Sequence, residues 1–149
     1  MSGAGGRALA LDVGERRIGV AIADELGLIA SPLTIVARGS DSLAEIAALV
    51  ETRGVDTVVV GLPTGMSGRE GPQTAATRRF ADELATVLPE AIHVVFWDER
   101  LSTAIADRAL RDRKASRADR RDQRDAIAAA VILQGWLDAA RARERRGRG

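Results

Sequence analysis

The sequence predicts a single α/β domain built on a five-stranded mixed sheet, with three strands in an antiparallel meander, two more added in parallel, and helices flanking both. Three observations predict it. Short runs of Val, Ile, Leu and Ala bounded by Gly, Pro or Asp recur five times; the first three are joined by connections too short for a helix; the last two are each reached through an amphipathic stretch of helical period. The 149 residues suit one domain spanning 1–149, with a core over about 7–139 and a charged tail over 140–149. At 46% hydrophobic and 3% aromatic residues, that core must be aliphatic.

Residues 7–13, RALALDV, read as a buried strand, and 18–24, IGVAIAD, as its antiparallel partner across the tight connection Gly14-Glu15-Arg16-Arg17. A third strand follows at 33–37, after Gly27 and the turn signal Ser31-Pro32. Asp41-Ser42 opens a helix in which Leu43, Ile46, Ala47 and Val50 share one face and Gly54 is the stop. Residues 55–60 are apolar and β-branched, as expected of a central strand covered on both faces. The Gly-rich loop 61–72 leads to a second helix with Phe80, Leu84, Ala85 and Leu88 on its apolar positions. Residues 92–97 form the last strand, which ends at Asp98-Glu99-Arg100. Ser102 or Thr103 caps a helix running to Leu110, and a basic segment separates it from a final helix that starts near Asp122. A meander followed by strands that return through helices is the order of the ribonuclease H-like fold.

Composition removes several functions. Without Cys there are no disulfides, thiolate metal sites, iron–sulfur clusters or cysteine nucleophiles, and carboxylates are the plentiful metal ligands. The N-terminus lacks the pattern of a secretory signal and no apolar run approaches about 18 residues, so the expected location is cytoplasmic, with no membrane partner. The net charge of +1 hides an asymmetry: residues 1–99 sum to −6 and residues 100–149 to +7. A basic last third beside an acidic remainder points to a polyanionic partner such as nucleic acid.

Acids at three places stand out, two strand ends and one helix start. Asp12 sits in an otherwise apolar strand, where a buried charge is costly unless paired; it is either a metal ligand at a strand end or a turn-capping residue bonded to the Gly14 backbone. Asp98 and Glu99 follow another strand, where alternation puts only one of them on the face of Asp12. Asp125 heads the helical stripe of Ala129, Ile132 and Trp136, and the small Ala128 and Ala129 let that helix approach the sheet. Its alternative role is a capping box with Asp122. Three such acids suit one or two Mg²⁺ or Mn²⁺ ions, the arrangement that hydrolyses phosphodiesters without His or Cys. His93, the one histidine, lies within a strand and reads as structural or exposed.

The cations expected to track phosphate are Arg16, Arg17, Arg100, Arg111, Arg113, Lys114, Arg117, Arg120 and Arg121, the last six in a segment that reads equally as a solvated linker. Phe80 and Phe96 are expected in the core and there is no Tyr, which leaves little surface for stacking bases. The loop 61–72 lacks the Gly-Lys-Ser/Thr ending of a phosphate-binding P-loop.

LDVGERRIGVAIAD at 11–24, VVGLPTGMSG at 59–68, DERLST at 98–103 and RDAIAAAVILQGWLD at 124–138 together resemble the YqgF family, also called RuvX, of pre-16S rRNA nucleases related in fold to Holliday junction resolvases. The resemblance spans about 7–139. It implies a ribonuclease H-like, metal-dependent nuclease that trims the 5′ end of the rRNA precursor, with Asp12, Glu99 and Asp125 as its acidic positions and Asp98 supporting them or the following helix. It implies RNA as partner, with branched RNA or DNA junctions as the alternative substrate, acted on by a monomer or homodimer. A non-catalytic RNA-binding assembly factor is the third reading. Two departures stand out: Gly65-Met66-Ser67-Gly68 replaces the family's usual Asn-Met-Asp-Gly, and Ala126 replaces the Ser that usually follows Asp125.

Overall fold

The computed structural model describes residues 6–63, 71–101 and 117–148, with 117–123 and 148 as backbone only. Strands β1 (Arg7–Val13), β2 (Arg17–Ala23) and β3 (Ala30–Ala37) are followed by α1 (Ser42–Thr52), β4 (Val55–Leu62), α2 (Pro72–Val87), β5 (His93–Asp98), a 3-10 turn (Glu99–Leu101) and α3 (Arg117–Arg148). The sheet order is β3-β2-β1-β4-β5. β1 pairs antiparallel with β2 and β2 with β3, while β4 runs parallel to both β1 and β5, so the mixed sheet takes the expected form.

Side-chain alternation gives the sheet two unlike faces. Leu9, Leu11, Ile18, Val20, Val58 and Val60 meet Ile46 and Val50 of α1 and Phe80 and Leu84 of α2. Burial of each of the larger side chains contributes about 1.5–3 kcal/mol. The opposite face is lined by Ala8, Ala10, Ala21, Ala23 and Val59 and carries Ala129, Ala130, Leu133 and Leu137 of α3. Small residues on both partners bring the α3 backbone close to the sheet, and that closeness positions the site. Gly54, at φ +65°, is the left-handed residue that ends α1 and turns the chain into β4.

Several expectations are corrected. β3 begins at Ala30, with Pro32 inside it: the edge strand needs no amide from Pro32 on its solvent side, and the register slips there, pairing Val20 with Thr34 but Ala21 with Pro32. On α2, Ala81 is buried and Ala85 exposed. Phe96 is 37% exposed because β5 is an edge strand; the Arg78 guanidinium lies 5.1 Å from its ring centroid. α3 starts at Arg117, before Asp122, and continues through the expected tail to Arg148. Its ends are rich in Arg, a good helix former, and contain no Pro. Arg117, Arg120 and Arg121 therefore belong to a helix and not to a linker. The helix expected over 102–110, most of the loop 61–72, and Arg111, Arg113 and Lys114 lie outside the described residues. Among the described residues no helix is long and apolar enough to cross a membrane.

Candidate active site

Asp12 is the last α3-facing residue of β1, continuing the row Ala8 and Ala10, and it stands directly opposite Gly19 of β2. A Cβ placed on Gly19 would lie 1.9 Å from the Asp125 carbonyl oxygen and 2.9 Å from the Ala126 nitrogen. The missing side chain is therefore where the α3 backbone at Asp125 rests on the sheet, beside Asp12. On β4, a Cβ on Gly61 would lie 2.5 Å from Ile132 Cδ1 and 3.2 Å from Glu99 Oε1. Two glycines in otherwise β-branched strands thus make room for the helix carrying one acid and for the carboxylate of another. An isolated strand glycine is the signal of close approach that points to both positions.

β5 delivers the third acid. Val95 and Trp97 face α3, and the same alternation carries Glu99, just past the strand, to that side. Trp97 is held by α3, where its indole packs on Gly135: a Cβ there would lie 3.1 Å from Nε1. Asp98 goes elsewhere, accepting from Arg100 Nε at 3.0 Å and Nη2 at 2.6 Å and from the Arg100 backbone N–H at 2.9 Å. It caps the 3-10 turn that begins at Glu99 and fixes Arg100 there.

Glu99 and Asp12 share a side-chain hydrogen bond. Burial, the neighbouring Asp12 charge and that bond raise the Glu99 carboxyl to about 7, with a smaller push from Asp98. Burial and the Asp125 charge raise Asp12, while the bond to Glu99 lowers it. Both carboxyls of the pair are thus held above their ordinary values, chiefly by burial and by the neighbouring negative charge. Asp125 pairs with Arg17, whose Nε lies 3.4 Å from Oδ2 with both side chains partly exposed. Among the described residues no three His, Cys, Asp or Glu side chains are gathered into a ready cage. The site consists of the Asp12–Glu99 pair, with Asp125 close enough to act on Asp12 electrostatically.

The predicted cations divide. Arg17 is engaged by Asp125 and Arg100 by Asp98, Arg16 is exposed in the hairpin, and no side chain is described for Arg117, Arg120 or Arg121. Arg38 was not expected here: it donates to the Gly14 carbonyl at 2.9 Å and covers the Phe80 ring at 5.3 Å, bracing the turn that follows Asp12. His93 is exposed.

The chain is 49% identical over 137 residues to a Myxococcus xanthus protein named "Putative pre-16S rRNA nuclease", covering 91% of this chain and 89% of that one. A Geobacillus kaustophilus protein of the same name is 46% identical, over 91% of this chain and 99% of its own length. Among solved structures, T. thermophilus RuvC in complex with Holliday junction substrate superposes with a TM-score of 0.59 at 16% identity, over 91% of this chain and 95% of that one. Fowlpox virus resolvase, also with Holliday junction DNA, gives 0.55 at 9% identity, over 90% and 98%. At these identities the likeness is one of fold, the ribonuclease H-like architecture expected from the order of elements. The chain belongs to the RuvX family, whose profile, described as Holliday junction resolvase, matches residues 6–139.

Proposed function

We propose that this protein is a metal-dependent nuclease that hydrolyses phosphodiester bonds and processes the 5′ end of pre-16S rRNA in ribosome biogenesis, with Asp12, Glu99 and Asp125 as its catalytic acids. The observation that carries the proposal is the meeting of the half-buried Asp12 and Glu99 carboxyls at the ends of β1 and β5, with Asp125 brought beside them over Gly19. Relatives at 46–49% identity bear the nuclease name over nearly the whole chain.

The residues fit a hard divalent cation, Mg²⁺ or Mn²⁺. The donors are carboxylate oxygens alone, and two of them sit in a low-polarity site where their mutual repulsion is relieved only by a proton or a cation. Asp12 and Glu99 would hold the ion, and Asp125 would join them by leaving Arg17. When bound, such an ion activates water and stabilises the leaving oxygen. Glu99 would serve as a ligand in its deprotonated form. Gly19 and Gly61 keep the carboxylates unobstructed, and Asp98 anchors the turn on which Glu99 sits, so the protein's contribution is placement and exclusion of bulk water.

The test is cleavage of a linear precursor RNA, a branched RNA and a four-way DNA junction, each with Mg²⁺, Mn²⁺ or chelator, by the wild type and Asp12→Asn. Metal-dependent cutting that the variant lacks, fastest on the linear precursor, is the expected result; binding without cutting would leave an RNA-binding assembly factor. A second reading, cleavage of branched nucleic acid, is favoured by the family's description. It requires fastest cutting of the junction, and symmetric resolution requires two sites, so a strict monomer counts against it.

A further inference from the structure

α3 is one continuous helix from Arg117 to Arg148, yet its cations are confined to its ends. Residues 125–140 contain no Arg or Lys; Arg117, Arg120, Arg121 and Arg124 precede them, and Arg141, Arg143, Arg145, Arg146 and Arg148 follow. The near end adjoins the carboxylates, since the Asp125 backbone rests on Gly19. The far end lies beyond the sheet and beyond residue 139, where the family match stops. There Arg141 is taken by Asp138, whereas Arg143, Arg145 and Arg146 are exposed and form no ion pair among the described residues. A rise of 1.5 Å per residue puts Arg145 about 30 Å from Arg124, and 100° per residue puts Arg145 and Arg146 within about 60° of its direction.

We infer that the far end of α3 is a second phosphate contact, and that the nucleic acid cut at Asp12 and Glu99 carries a duplex arm running along this helix. The inference rests on the nuclease reading for the cut itself. Two basic clusters at a fixed separation on a rigid rod select a ligand that presents phosphates at both places without further ordering. A duplex does so: about 30 Å corresponds to roughly nine base pairs at 3.4 Å each. A single strand would lose entropy on being straightened and would look for stacking surfaces. The described aromatics offer few: Phe80 is buried, Phe96 lies against Arg78, and Trp97 and Trp136 pack with the α3 core.

The experiment measures binding in chelator, where no cutting occurs, to hairpins with duplex arms of about 6, 9, 12 and 16 base pairs and to single strands of matching length. It compares the full chain with Arg143→Glu/Arg145→Glu/Arg146→Glu and with the triple alanine variant, which preserves helix propensity. The expected result is a rise in wild-type affinity of about tenfold or more between the 6- and 12-pair arms. Both variants lose that rise, equal the wild type on the shortest arm, and show a log K against log salt slope shallower by about 2–3. Variants that follow the wild type at every length, or single strands that show the same rise, overturn the inference. The length-dependent rise without metal-dependent cutting of any of these substrates would instead overturn the nuclease reading and leave the duplex contact standing.

Discussion

Gly19 of β2 and Asp125 of α3 are in backbone contact: a single added carbon on Gly19 would lie 1.9 Å from the Asp125 carbonyl oxygen. Gly19 is also the cross-strand partner of Asp12. One glycine therefore sets the distance between a strand acid and a helix acid that are 113 residues apart in sequence, and the alanine-lined sheet face maintains it along the helix.

Gly19→Ala is accordingly expected to be among the most damaging small substitutions in the chain. The clashing atoms are backbone, so α3 must lift from the sheet. Overpacking of this kind costs about 1–3 kcal/mol or more, a fall in melting temperature on the order of 3–8 °C or more. Gly61→Ala meets the movable tip of Ile132 and should cost less. Thermal melts of both variants check the ranking; an unchanged Gly19→Ala melt would mean that α3 does not rest there.

Removing an acid from the pair should separate activity from stability. Asp12→Asn eliminates a half-buried charge beside Glu99 and Asp125 while keeping a hydrogen-bonding side chain, so the metal-free protein should melt at the same temperature or a few degrees higher. Cleavage should fall by more than about 100-fold, the scale of losing a group that acts in the transition state. Paired melting curves and single-turnover rates test this, and a destabilised but active variant would contradict the assignment.

The proton on Glu99 makes stability depend on pH. Its folded value of about 7 exceeds its ordinary 4.5, so the folded state binds more protons between them. Stability of the metal-free protein is therefore expected to fall as pH rises from 4.5 to about 7 and then level off. Asp12, also raised, adds in the same direction from its ordinary 3.8 upward. Asp24 is held low by the Leu28 and Ile29 amides and loses its contribution below this window. After allowance for solvent screening of a partly exposed group, the Glu99 effect is about 1–2 kcal/mol. Urea unfolding at several pH values in chelator should show the decline, Glu99→Gln should flatten it, and Mg²⁺ should reverse it, because the ion binds the deprotonated pair.

How legible the site was depends on which kind of order it uses. Strand alternation puts only one of Asp98 and Glu99 on the side of Asp12, and it is the family resemblance that points to Glu99, whereas the helical stripe through Ala129 and Ile132 turns Asp125 inward as a periodicity of the chain itself. The role of Gly19 needed the register that sets it opposite Asp12 and under α3, which no local pattern contains. Arg17 reads as a phosphate contact until the hairpin brings it to Asp125. Phe96 has the pattern of a core residue, but its exposure follows from β5 lying at the sheet edge, which is a matter of strand order. The ends of α3 read as linker and tail because of their charge, whereas Arg, which dominates them, favours a helix.

Gln134 joins two distant parts of the chain through one amide group. Its Oε1 accepts from the Ala30 N–H at 3.0 Å and its Nε2 donates to the Leu28 carbonyl at 2.9 Å and to Asp138 Oδ1 at 3.0 Å. The turn between β2 and β3 is thereby fastened to α3 at the end of the sheet remote from Asp12, although Leu28 and Ile29 are themselves exposed. Gln134→Leu matches the shape but leaves a backbone donor and a backbone acceptor without partners. The expected cost is about 1–3 kcal/mol, or roughly 3–8 °C in melting temperature, with faster amide exchange at Ala30 and little change at Asp12. Since the proposed catalytic acids lie at the opposite end of α3, cutting of a short-armed substrate at low temperature should persist in this variant. Loss of cleavage before loss of fold would show that the two ends of the helix are mechanically coupled.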